Sequence, residues 1–269
     1  MTSDWSAARW EMMRRRHPMF NEPYGKDIGE MWERGSEKYS PAPYSEIITK
    51  TVDLLRDKGY IDGSKSLIDI GSGPGTFALP LSETCGSVLC VDSSPGMLRR
   101  VDSLGRDNMT TLLADCLSLP EGCVRDISFS SLCPPMNCPE GLAVMESAAR
   151  ERCVYLSSIN PCPGLEGEIW SALGREYSYR GYDTVYPARY LEYMGRRYEL
   201  HRFTQRNESS VPAEEMEAVM LRKIAAYRPI GERERTAVHT VIESHTEDGM
   251  VPRSGIFRMG VLIWEPVSR

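Results

Sequence analysis

Two hydrophobic periods alternate along the chain. Over residues 44–59 (YSEIITKTVDLLRDKG), Ile47, Ile48, Val52 and Leu55 share one helical face, and Gly59 closes the run. Short apolar runs of strand length follow at 66–71, 87–92, 109–115, 126–132 and 153–159. Between them, stretches such as 94–104 and 140–151 carry helical spacing. Strand–helix alternation of this kind predicts a parallel sheet covered on both faces. After Ile159 the rhythm breaks. Residues 160–197 hold no strand pattern but are rich in aromatics, among them Trp170, Tyr177, Tyr179, Tyr182, Tyr186, Tyr190 and Tyr193. The run 198–205 returns to the sheet, 213–228 and 231–245 read as helices, Asp248–Gly249 is a turn signal, and 255–266 is a last strand.

The expected architecture is α/β: a doubly wound, mostly parallel seven-stranded sheet with helices on both faces, N-terminal lid helices and a helical insertion after the fifth strand. Residues 1–43 are expected to form the lid or cap segment and 44–269 the main domain, with the insertion at 160–197. The N-terminal segment DWSAARWEMMRRRHPMF mixes Trp5, Trp10, Met12 and Met13 with three arginines and ends its stripe at Pro18. It reads as a lid or docking helix, with a membrane-surface helix as the alternative.

Composition narrows the function classes. The chain has 269 residues, 41% of them apolar, enough for a large core, yet no run approaches the length of a membrane span. Residues 1–20 contain Asp4, Glu11 and Arg14–Arg16 without an apolar signal core, so a cytoplasmic protein is expected. A net charge of −6 argues against a nucleic-acid backbone as the main partner. All eight cysteines fall between Cys85 and Cys162 without a CxxC pair, Cys133 and Cys138 being the tightest pair near a loop. They read as reduced, mostly buried thiols, with a metal or iron–sulfur site as the alternative; no metal is expected.

The segment SLIDIGSGPGTFALP, 66–80, carries the candidate chemistry. Ligands of open parallel sheets bind beyond the carboxyl ends of the strands, and a glycine turn there lets them approach the backbone. Glycines at 71, 73 and 75 do not fit the dinucleotide spacing, since its sixth position is Thr76, and no Gly-Lys-Ser/Thr follows. The second strand ends at Asp92, about twenty residues past the first glycine, where a carboxylate can accept from both hydroxyls of a ribose. The third ends at Asp115, where a second acceptor could take an exocyclic amine.

With these three strand ends, the chain resembles the class I S-adenosylmethionine-dependent methyltransferases over roughly residues 30–159. The resemblance implies S-adenosyl-L-methionine as cofactor, with S-adenosyl-L-homocysteine as product. It implies that Asp69, Gly71, Gly73 and Gly75 flank the methionine part and that Asp92 holds the ribose. Ser93 and Met97 would line the adenine pocket, and Asp115 with the backbone of Cys116 would meet the adenine edge. Ser131, Leu132 and Cys133 read as a backbone wall of the site. Upstream, MWERGSEKYS resembles the helix that closes over the cofactor in many small-molecule members. This places Tyr39 at the cofactor and Trp32 beside the substrate.

At the fourth strand end, CPPM (133–136) stands where methyltransferases of nucleic-acid or glutamine amino groups carry Asn/Asp-Pro-Pro-aromatic. A thiol is a poor acceptor for a target NH₂. The expected function is in-line methyl transfer to a small molecule, with Tyr182, Tyr186 and Arg189 of the aromatic stretch, together with Trp32, as substrate-binding candidates. A protein or nucleic-acid methyltransferase and a non-catalytic cofactor-binding regulator are the alternatives. No catalytic base is assigned; His17, His201, His239 and His245 read as surface or packing residues. The chain is expected to be a monomer or homodimer, with no nucleic-acid or membrane partner.

Overall fold

Seven strands form one sheet, the third strand in chain order at one edge, followed by the second, first, fourth, fifth, ninth and sixth. The computed structural model describes residues 5–17, 32–33, 36, 46–159, 164–177, 183–207, 209–225, 227–252 and 255–267. In chain order these form α1 (Ala7–Arg14), α2 (Glu46–Asp57), β1 (Ser66–Ile70), α3 (Ala78–Ser82), β2 (Ser87–Asp92), α4 (Pro95–Asp102), β3 (Met109–Leu113), β4 (Arg125–Ser131), α5 (Pro139–Ala148) and β5 (Ala149–Ser158). There follow α6 (Gly164–Ala172), α7 (Val185–Tyr193), β6 (Tyr198–Asn207), β7 (Ser210–Pro212), α8 (Ala213–Ala225), α9 (Glu232–Ser244), β8 (Met250–Pro252) and β9 (Gly255–Trp264).

The first five strands pair in parallel, while β9 runs antiparallel between β5 and β6. The strand order turns around β1, so the cleft between the ends of β1 and β4 is the switch point at which such sheets bind ligands. Period-two alternation splits the central strands between two layers. Ile68, Ile70, Leu89 and Val91 face one layer, with α5, α7 and Trp10 of α1. Leu67, Val88, Cys90 and Phe129 face the other, with α2 and α3. Leu67, Ile68, Ile70, Val88 and Val91 are almost completely buried, each contributing roughly 1.5–3 kcal/mol over exposure.

Two features differ from the expectation. The helix read over 140–151 stops at Ala148, because β5 begins at Ala149 and pairs there with Arg125. A third layer, which the sequence pattern did not group, gathers Ile169 and Trp170 of α6 with Met216, Met220 and Ile224 of α8 and Val238 and Ile242 of α9. The pair β7–β8 closes it, and Asp248 and Gly249, with φ of 50° and 74°, make the turn into β8.

α1 docks on α7. Trp10 is buried, its ring 5.5 Å from Tyr190, and Trp5 meets Tyr186 edge-on at 5.1 Å. Trp10 of α1 is therefore covered by protein, while Met12 stays exposed. Among the described residues, no helix is long and apolar enough to cross a membrane.

Candidate active site

A cavity of about 250 Å³ opens beyond the carboxyl ends of β1, β2 and β4, near the lower end of the roughly 300–1,000 Å³ usual for small-molecule sites. Its floor is the turn after β1. The Gly71 and Ser72 N–H groups both donate to the Val91 carbonyl, at 2.8 and 3.0 Å, which ties this turn to β2. Gly71 has φ 75°, and a Cβ there would stand 2.3 Å from Cys133 Sγ. Only glycine lets the end of β4 come so close. Gly73, at φ 54°, has nothing within 4 Å of its Cβ position. Gly75 does not line the cavity; its missing Cβ admits Leu104 and Val101, so it seats the turn against the α4 region.

Asp92 ends β2 and lies in the cavity wall. Its Oδ2 accepts the Gly73 N–H at 2.8 Å and its Oδ1 the Ser94 N–H at 2.9 Å. Burial pushes its carboxyl up, against the backbone N–H groups of Ser94, Gly73 and Ser93, which pull it down. Each oxygen retains acceptor capacity for a ligand hydroxyl. Asp69, on β1, is fully buried behind the turn, and neither of its oxygens has a hydrogen-bond partner among the described residues. Burial, and then the charge of Asp92, raises its pKa to about 8.

Ser93, Met97, Cys116 and Ser131 line the cavity with Gly71, Gly73 and Asp92. Asp115 does not: it is exposed, and its Oδ1 accepts the Leu117 N–H at 2.9 Å. It shapes the turn that delivers Cys116 to the wall. Trp32, expected at the substrate, is part of the cavity's lining. Tyr39 and Tyr182 lie outside the described residues.

Tyr186 and Arg189 are not in the cavity lining. Tyr186 packs on Trp5, and Arg189 pairs with Glu192 at 2.7 Å while lying 5.9 Å from the Trp5 ring. The structure thus uses both to receive the N-terminal helix. Three histidines pair with carboxylates away from the cavity: His201 with Glu199, His239 with Glu217 and His245 with Glu168. Burial drives His17 down to about 4, beside the ring of Tyr177.

Sequence reasoning missed Glu33. Its Oε2 accepts from Ser94 Oγ and from the Gly96 N–H, and Arg99 lies 3.3 Å from its other oxygen. These bonds, in that order of strength, and then Arg99 hold the carboxyl below its ordinary range. A carboxylate at a helix N-terminus satisfies orphan N–H groups and suits the helix dipole. Glu33 therefore fastens the segment bearing Trp32 to the start of α4. The capping motif lies across 61 residues of chain, so no local pattern announces it. Leu132 was read as backbone wall. It has φ 48°, unusual for a branched residue, and its side chain is 56% exposed at the cavity rim. Phe77, Pro134 and Pro135 complete an apolar wall.

These residues fit an adenosyl–methionine group: a carboxylate with spare acceptor capacity, an apolar slot at Met97, open space above Gly73 and an unsatisfied buried carboxyl behind the glycine turn.

Residues 68–133 match the family described as a methyltransferase domain. An uncharacterised protein of Haemophilus influenzae is 26% identical over 144 residues, 51% of this chain and 50% of that protein. The chain thus spans about half the length of the curated relative it matches. Among solved structures, BH2331 of Bacillus halodurans, whose name marks it provisionally as a methyltransferase, superposes with TM-score 0.55 at 12% identity, covering 81% of this chain and all of that one. The YcgJ protein of Bacillus subtilis superposes with TM-score 0.53 at 14% identity, covering 82% and 100%. The likeness to both is one of fold.

Proposed function

We propose that this chain is a class I S-adenosylmethionine-dependent methyltransferase that transfers the cofactor's methyl group to a small molecule. The single observation that supports the reading best is the Asp92–Gly73 hydrogen bond. It joins the second strand end to the glycine turn inside the one cavity that also holds Met97, Cys116 and Ser131.

In this reading Asp92 accepts the ribose hydroxyls and Ser93 and Met97 flank the adenine. Gly71 and Gly73 leave room for the methionine chain, with Asp69 behind them. The cofactor, when bound, supplies an activated sulfonium methyl. What the chain must add is alignment of the acceptor and exclusion of water. Pro134 and Pro135 form a rigid wall after β4, because each fixes its own φ. Trp32 covers the cavity from the N-terminal side, held there through Glu33. The acceptor would enter over the rim at Leu132, the lining residue most open to solvent among the apolar ones.

The small-molecule reading is favoured by the place of Met136. It is completely buried, so the position that would stack on a flipped base or a peptide amide faces the core. The seven described cysteines are free and buried, which suits a reducing, cytoplasmic setting. Incubation with methyl-labelled S-adenosylmethionine and pools of small metabolites, protein or nucleic acid tests the reading. Label is expected in the small-molecule fraction; label confined to protein or nucleic acid would overturn that assignment.

A further inference from the structure

Eight cysteines occur in the chain, and the fold brings two of them together at the cavity. Cys116 follows β3 and Cys133 follows β4, 17 residues apart in sequence, with their sulfurs 4.0 Å apart. Both line the cavity and both are otherwise buried, at 5% and 9% exposure. Each sits in a turn at a strand end, Cys116 in the turn shaped by Asp115 and Cys133 at the start of the Pro134–Met136 turn. Neither backbone is locked inside a ladder. By contrast, Cys90 and Cys153 lie within central strands, and Cys138 caps α5 by accepting the Gly141 N–H.

We propose that Cys116 and Cys133 form a dithiol modification site, which oxidation closes into a disulfide across the wall of the cavity. A disulfide needs its sulfurs at about 2.05 Å, so the two sulfurs must approach by about 2 Å. The bond bridges the two turns across the cavity wall beside Gly71, which Cys133 already crowds. The consequence for the cofactor rests on the methyltransferase reading: a closed pair excludes it, and a bound cofactor shields the pair.

The oxidant is a hydroperoxide. The Cys116 sulfur attacks one peroxide oxygen, the O–O bond breaks, and a sulfenic acid and one water result. The Cys133 sulfur then displaces that oxygen as a second water, forming the S–S bond. Two thiols lose two electrons and two protons, and one hydrogen peroxide becomes two waters. Cys116 suits the attacking role, since its hydrogen bond with Cys133 draws its pKa below the ordinary thiol value while Cys133 is pushed well above it.

The test treats the reduced full chain with hydrogen peroxide, with and without S-adenosylhomocysteine. Free thiols are alkylated, and non-reduced peptides are mapped by mass with fragmentation. The expected product is a Cys116–Cys133 cross-link, 2 Da lighter, lost in Cys116→Ala and in Cys133→Ala but kept in Cys123→Ala. S-adenosylhomocysteine slows its formation. The oxidised chain loses the thermal shift that the product gives the reduced chain, and dithiothreitol restores it. Absence of the cross-link, a cross-link through other cysteines, or a cross-linked chain that still shifts fully would overturn the proposal. A reduced chain that shows no shift overturns the cofactor reading instead, and the cross-link map then decides the dithiol alone.

Discussion

The Glu33 carboxylate accepts the Gly96 N–H at 2.7 Å, joining two segments 63 residues apart at the first turn of α4. Trp32 is its neighbour in sequence and lines the cavity. Glu33 thus ties the segment bearing Trp32 to the cavity wall. Glu33→Ala should lower the melting temperature slightly, as a lost helix cap does, and weaken cofactor affinity several-fold by freeing the Trp32 segment. Glu33→Gln, which keeps one acceptor, should fall between the two in a binding titration.

Asp92 has two tasks, holding the loop through Gly73 and Ser94 and presenting acceptor capacity to the cavity. Asp92→Ala should weaken cofactor binding at least about tenfold, the loss expected for charge-assisted hydrogen bonds. It should also lower the melting temperature of the ligand-free chain, since two N–H groups lose their acceptor. Calorimetry and thermal melts read the two effects separately.

Gly71 and Gly73 should respond differently to the same methyl group. Gly71→Ala drives a Cβ into Cys133 Sγ at 2.3 Å and should destabilise the fold. Gly73→Ala meets no atom within 4 Å, so its cost is the left-handed backbone alone, about 1–2 kcal/mol. Its added carbon enters the cavity proposed to hold the cofactor, so it should remain folded and lose affinity. A chemical denaturation curve beside a binding curve distinguishes them.

Asp69 makes stability depend on pH. Its carboxyl ionises near 3.8 when unconstrained, and burial followed by the charge of Asp92 raises it to about 8 in the fold. The contribution is therefore complete below pH about 4 and is lost as pH rises through about 8. His17 acts oppositely: burial lowers it from 6.5 to about 4, so its contribution is present above 6.5 and lost as pH falls toward 4. Asp69→Asn removes only the first effect. The melting-temperature difference, parent minus variant, should fall steadily from pH 5 to 8.5.

The sheet was legible because period-two strands and helical stretches alternate as far as Ile159; that the last strand runs antiparallel between β5 and β6 has no signal in that pattern. That Asp92 lines the cavity was legible from its distance past Gly71, since parallel strands bring successive carboxyl ends to one edge; Met97 and Cys116, also in the lining, came from the family resemblance. Asp115 was misplaced by the same logic, because a carboxylate two residues past a strand end can turn back on its own backbone, here to Leu117. Glu33 was illegible because its partners lie far along the chain. Tyr186 and Arg189 were read from local composition, which shows a large polar-tipped surface but not that Trp5 occupies it. The α6–α8–α9 layer was hidden for a related reason. Each helix pattern was visible, but which apolar faces meet is a property of the whole chain.

The central claim is tested most directly by calorimetric titration of S-adenosylhomocysteine into the reduced chain and into Asp92→Ala. The account predicts saturable binding of one molecule per chain, weakened at least about tenfold by the substitution. No binding to the parent chain, or equal affinity in a folded Asp92→Ala variant, would contradict it.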